Sequence, residues 1–225
     1  MGRDDSPKER QRKDLERKRR RQRAPCERLL VVCEGSKTEP RYFEEIRVDR
    51  RLPVANVRVS PCGIGTDPLH VVEHARNLFE KGDLHKAIEP RAFDRVFAVF
   101  DRDDHQTYRE ALRLAGSLNG KLKSDERKRV PFQAVASVPS FELWLLLHFE
   151  DVQAPIRRDD VMRRLIKWLP AYHKGQHDVF ALTRNRLADA LARAQALAGR
   201  FNAESAPEPY TAVFDLVTLI NTLRG

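Results

Sequence analysis

Cysteine is scarce in this 225-residue chain: three thiols, Cys26, Cys33 and Cys62, with no Cys-x-x-Cys between them. So few and so scattered, they exclude a disulfide framework and fit a reducing cytoplasm. Long apolar runs are also missing. No stretch approaches the ~18 residues a membrane span requires, so no membrane role is expected. The first residues are charged with no apolar segment behind them, so no secretory signal is expected either. No internal repeat is visible. The length suits one domain with appendages and is enough to bury a core.

Charge is plentiful, and uneven. The net charge is +9, yet residues 1–23 hold 11 Lys+Arg against 5 Asp+Glu, so +6 of it sits there. The run from Lys8 to Arg23 has almost no apolar residue to pack. It predicts a disordered or loosely helical basic arm over 1–24. Such arms attract phosphate backbones without reading sequence; a solvated tail that only aids solubility is the other reading. A second basic stretch, with Lys121, Lys123, Arg127, Lys128 and Arg129, offers further contacts to RNA or DNA.

From Pro25 onward, short apolar runs alternate with helix-length segments. Strands are expected at about 28–33, 56–60, 94–100 and 132–136, the second followed by a Gly63–Gly65 turn. Helices are expected at about 38–51, 67–81 and 106–119, with a loop over 121–129. Asp67-Pro68 is a helix start, since proline favours the first helical position. Beyond Ser140, read as a helix cap, the pattern is helical at about 140–149, 158–168, 183–200 and 209–223. The fold class is therefore α/β: a parallel sheet flanked by helices. Its core spans about 25–140, with a helical part at about 140–225.

Carboxylates stand at the ends of two of these strands. Leu29 to Cys33 runs into Glu34, and Val96 to Phe100 runs into Asp101-Arg102-Asp103-Asp104. In an open α/β sheet, ligands bind beyond the carboxyl ends of the strands. Clustered carboxylates there repel one another unless a cation sits between them. Asp-x-Asp at a strand end suits Mg²⁺, a hard ion that takes oxygen ligands. A capping and turn cluster is the plainer reading of those aspartates. Gly35 allows a tight turn after Glu34, and Lys37 stands at the following helix start, where an anion can be held.

Glu142 is the one acid in the apolar segment Phe141 to Phe149. Buried there, it must be paired or metal-bound, as an active-site acid or as a structural one. It falls in a first helical turn, where an anion is favoured. His148 reads as a hydrogen-bonded core residue. Lys174 could contact a phosphate or stabilise a leaving group, or be a plain surface lysine.

Other patterns are discounted. Gly35-Ser36-Lys37-Thr38 lacks the upstream glycine of a P-loop. His70-x-x-Glu73-His74 matches an inverted zinc-protease signature. However, Leu69, Val72, Ala75, Leu78 and Phe79 form that helix's apolar stripe, leaving the histidines on the wet face. His173 and His177 fare no better. A haloacid-dehalogenase-type phosphatase needs its nucleophilic Asp after the first strand, where Glu34 stands.

The two acidic loops together resemble a Toprim domain, and more of the chain narrows the likeness. Val32-Cys33-Glu34-Gly35-Ser36-Lys37-Thr38-Glu39-Pro40-x-Tyr42-Phe43, Val99 to Asp103, and Ser137-x-Pro139 through Phe149 resemble the RloB family. So do Tyr172-His173-Lys174 and Pro209-Tyr210-Thr211, over about residues 27–223 in all. The resemblance implies a Toprim-like fold and a role in bacterial anti-phage defence, alongside ATPase partners. It implies Glu34 as general acid/base or metal ligand. Asp101 and Asp103 would bind Mg²⁺ (or Mn²⁺), with Asp104 as a third acid. The expectation is a metal-dependent phosphodiesterase cutting RNA, tRNA included, or DNA. A non-catalytic effector held by an ATPase and a small-molecule phosphotransferase are the alternatives. A homodimer is compatible with either.

Overall fold

The computed structural model describes residues 27–63, 67–103 and 105–223. The basic arm over 1–24, Asp104 and the end of the Gly63–Gly65 turn lie outside the described residues.

Strand β1 (Leu29–Cys33) is buried at every position. A strand covered on both faces has no polar alternation, which is why it reads as an unbroken apolar run. Its side chains alternate between two cores. Leu29, Val31 and Cys33 join Tyr42, Phe43 and Trp144 on one face, while Leu30 and Val32 join Val72, Phe79 and Ala111 on the other. Cys33 and Cys62 are both buried.

The chain continues through α1 (Thr38–Asp49), β2 (Val57–Pro61), α2 (Pro68–Lys81), β3 (Arg95–Asp101) and α3 (Tyr108–Leu118). Asp67 caps α2 by accepting from the Leu69 amide at 2.8 Å, and Pro68 follows at the first position, as the Asp-Pro pair predicts. A hairpin of β4 (Leu122–Lys123) and β5 (Arg129–Val130) precedes β6 (Phe132–Val138). That hairpin replaces the loop expected over 121–129: Leu122 and Val130 are buried and pair across it.

The main sheet has the order β2-β1-β3-β6-β7, where β7 is Tyr210–Thr211. The first four strands are parallel and β7 is antiparallel to β6. From β1 the chain builds outward on one side to β2, then returns to the other side for β3. Such a reversal leaves a crevice at the carboxyl ends of the two central strands. Here those ends are Cys33 and Asp101.

The second half departs from the expected long helices. The 140–149 segment contains only the short α4 (Glu142–Leu146). Ser140 does not cap it; its hydroxyl donates to the Glu142 carboxylate at 2.7 Å. Helix α5 (Arg158–Trp168) lies where expected. The 183–200 helix is instead α6 (Val179–Thr183), a 3₁₀ turn at Arg184–Arg186, and α7 (Leu187–Ala198). The Thr183 hydroxyl donates back to the Val179 carbonyl at 2.9 Å, a local bond that competes with a continuing helix. The 209–223 segment opens with β7 before α8 (Val213–Thr222). Tyr and Thr suit a strand, and Thr211 meets Ser137 of β6 hydroxyl to hydroxyl at 3.0 Å. Thus the part after residue 140 supplies a sheet strand and shares the core formed by Leu29, Val31 and Cys33. Among the described residues, no helix is long and apolar enough to cross a membrane.

Candidate active site

Glu34 extends the β1–β3 ladder by one residue, its amide donating to the Val99 carbonyl at 2.9 Å. Its carboxylate turns back across the crevice. Oε2 accepts from the Asp101 amide at 2.9 Å, and Oε1 lies 3.4 Å from His105 Nε2. The acids at the two strand ends are therefore adjacent. Burial pushes the Glu34 carboxyl up to about 7; the Asp101 amide opposes this and the charge of Asp103 adds to it. Asp101, only 8% exposed, is pushed well above the ordinary range. Burial is the first cause, followed by the charges of Glu39, Glu142, Glu34 and Asp103.

Glu39 is the acid that the sequence reading missed. It lies in the first turn of α1, 7% exposed. Burial raises it to about 7; its own backbone amide resists, and the charges of Glu142 and Glu34 reinforce the rise. Its signal was in plain view: a second acid five residues after Glu34, brought round by the intervening turn. Gly35 is tied to it. A Cβ on Gly35 would stand 2.2 Å from Glu39 Oε2, so the glycine makes room for a carboxylate as well as for a turn. The blocked atom ends a flexible side chain, so relief would come from rotating Glu39. Gly35→Ala is expected to lose about 1 kcal/mol of stability, seen as a lower Tm. It should also shift the Glu39 titration followed by carboxyl NMR. An unchanged titration would refute the coupling.

Glu142 is 2% exposed. Its helix has five residues, so its partners are side chains. Ser140 donates to Oε2 at 2.7 Å, Tyr172 donates to Oε1 at 3.4 Å, and Lys174 Nζ lies 3.9 Å from Oε1. The segment carrying Tyr172 and Lys174 is strapped onto the start of α1. The Gly175 amide donates to Thr38 Oγ1 at 3.0 Å, and the Arg41 guanidinium donates to the Gly175 carbonyl. Gly175 has a φ of +81°, and a Cβ there would meet Lys37 Cβ at 2.8 Å. Only glycine allows this close left-handed approach.

Asp103 closes the ring. Its φ is +35°, a left-handed conformation that aspartate tolerates better than most residues. Its amide donates to the Pro139 carbonyl at 3.2 Å, and its carboxylate pairs with the Arg158 guanidinium at the start of α5. No sequence signal marked Arg158, 55 positions away. The cavity bounded by these groups, about 1020 Å³, is also lined by Lys37, Arg102 and Arg157.

The structure thus gathers Glu34, Asp101, Asp103, Glu142, Lys174 and Lys37 around one cavity. It does not bring the second basic stretch there. Lys121, Lys123, Arg127, Lys128 and Arg129 are exposed on or beside the β4–β5 hairpin, which feeds the amino end of β6. Arg28, just before β1, holds the hairpin's Asp125 and also Asp94, just before β3. That is the opposite sheet edge, roughly 20 Å from the acids at ~3.3 Å per strand residue. The reason is topological: residues that precede a parallel strand lie at the far end from those that follow its neighbour.

The donor set suits a hard divalent cation, being oxygen throughout. Neither Asp101 nor Glu39 has an ion pair within 4 Å among the described residues. Among the described residues, no three His, Cys, Asp or Glu side chains are grouped so as to hold a metal ion as they stand. Asp103 is drawn to Arg158 and Glu34 to an amide. Of the discounted histidine motif, His70 and Glu73 are exposed on α2, whereas His74, expected on the wet face, is partly buried with its Nε2 shielded from solvent. His148 is a core residue, its Nδ1 3.0 Å from the Trp144 carbonyl, and burial pushes it down to about 4.

A family model described as RloB-like protein matches residues 29–220. No curated protein matches the chain, and no solved structure does.

Proposed function

The chain belongs to the RloB-like family, and we propose that it is a Mg²⁺- or Mn²⁺-dependent nuclease hydrolysing phosphodiester bonds in RNA or DNA. Its family resemblance supports a setting in anti-phage defence. One observation carries the chemistry: among the described residues six carboxylates, Glu34, Glu39, Asp101, Asp103, Glu142 and Asp159, line one cavity that is also lined by Lys37, Lys174 and Arg158. Acids to hold a cation stand beside bases to hold a phosphate, at the edge where such sheets bind ligands.

Asp101, Glu39 and Asp103 would hold the metal, together with Glu34. A bound divalent ion neutralises phosphate charge and lowers the pKa of a water. In the hydrolysis, the water oxygen bonds to phosphorus and one ester P–O bond breaks. Glu34 would act on that water either as a ligand of the ion or as the group that takes the water's proton. Lys174, half exposed and held near Glu142, would give a proton to the leaving oxygen.

The test is direct. Purified protein with Mn²⁺ or Mg²⁺ should nick tRNA, other RNA or single-stranded DNA, and Glu34→Gln should lose the activity. If the double alanine variant of Asp101 and Asp103 cleaves as well as the parent, the nuclease assignment is wrong.

A further inference from the structure

Arg158 is a cation in an unexpected place. It stands at the first residue of α5, with its guanidinium on the carboxylate of Asp103. It lies within the electrostatic reach of Asp101 and Glu142. Its side chain is 37% exposed against 18% for Asp103, so the pair sits at the cavity mouth with the arginine outermost. A salt bridge this open contributes little to stability. Asp103 also holds a left-handed backbone conformation, and such conformations cluster at functional sites.

The guanidinium holds Oδ2 of Asp103 and neutralises the charge of the whole carboxylate, which weakens Asp103 as a ligand for a divalent ion. Resting on the nuclease reading above, we propose that Arg158 is a phosphate-binding residue that occupies Asp103 until substrate arrives. It then passes to a non-bridging phosphate oxygen and frees Asp103 for the metal. A guanidinium suits both stations, since its planar fork matches carboxylate and phosphate alike. Substrate and metal would then favour one another's binding, each removing a competitor of the other. This makes metal loading weak in the absence of a phosphodiester.

The two halves of the pair then have opposite signs. Mn²⁺ affinity is measured by calorimetry without nucleic acid on the parent, Arg158→Gln, Arg158→Lys and Asp103→Asn. Arg158→Gln should bind Mn²⁺ about five-fold more tightly, the equivalent of one exposed ion pair. Asp103→Asn should bind it more weakly. Affinity for a non-cleavable phosphorothioate oligonucleotide should fall roughly tenfold in Arg158→Gln, as for the loss of a charged hydrogen bond. Arg158→Lys should restore part of that affinity.

A purely structural pair would weaken Mn²⁺ binding from either side, and that result overturns the proposal while leaving the nuclease reading intact. A parent that binds no Mn²⁺ and cuts no nucleic acid overturns both. Arg158 is partly exposed at a helix end, so its variants should fold, and matching Tm values among the soluble variants would verify this.

Discussion

Asp101→Asn is expected to have two opposite effects: cleavage falls by roughly a thousandfold while the metal-free protein melts at a higher temperature. The first follows from the proposed function, because a metal-ligating charge contributes several kcal/mol to the transition state. The second follows from burial. Asp101 lies 8% exposed at the end of β3, and burial together with Glu39, Glu142, Glu34 and Asp103 disfavours its ionised form. Asparagine keeps the shape and drops the charge. A gain of about 1–2 kcal/mol would raise Tm by roughly 2–4 °C per kcal/mol for a chain of this size. Activity assays and thermal melts at pH 8 on the same preparations check both effects. A variant that loses activity and stability together would mean that Asp101 is structural.

The second large effect is on pH. Glu34 and Glu39 titrate near 7 in the fold, burial being the first cause in each, against an ordinary value of 4.5. The folded chain thus binds these protons more tightly than the unfolded chain. Their contribution to stability is full below about 4.5 and is lost as pH rises through about 7. The loss is roughly 3 kcal/mol for one such carboxyl. It is less than double for the pair, because they share one repulsion. Glu39→Gln should therefore match the parent near pH 4.5 and exceed it by up to ~3 kcal/mol at pH 8 without metal.

His148, held down to about 4 by burial, acts oppositely below its ordinary value but cancels in this comparison. Mn²⁺ must displace the same protons. At a hundred times its dissociation constant it should stabilise by about 2.7 kcal/mol at pH 8, and by little at pH 5.5. Differential scanning fluorimetry across pH, with and without Mn²⁺, measures both effects. A Mn²⁺ shift that is the same at pH 5.5 and pH 8 would show that these carboxyls are not where the ion binds.

Local patterns in the chain carried the first half of the fold well. Unbroken apolar runs gave β1 and β3, and Asp67-Pro68 gave the start of α2, because burial on both faces and helix capping act over a few residues. The second half was less legible. Leu143 to Leu147 packs on all sides, so helical periodicity there could not reveal how soon α4 ends. Tyr210-Thr211 is a strand only because β6 offers an edge to it.

The candidate site divides along the same line. Glu34, Asp101 and Asp103 were found from the chain alone, since an acid following an apolar strand is a pattern within one short window. Glu142 and Lys174 were found as candidates but not as neighbours. Glu39 looked like an ordinary first-turn acid until the fold buried it. Nothing in the chain marked Arg158, and the basic stretch over 121–129 read as a nucleic-acid contact with no sign that it lies at the opposite sheet edge. Sequence alone determined which groups are acidic, which strands end in them, and that the sheet is mostly parallel. Only the tertiary structure decided which charges share a cavity, because their repulsion and pairing depend on distances between segments that strand order and packing bring together.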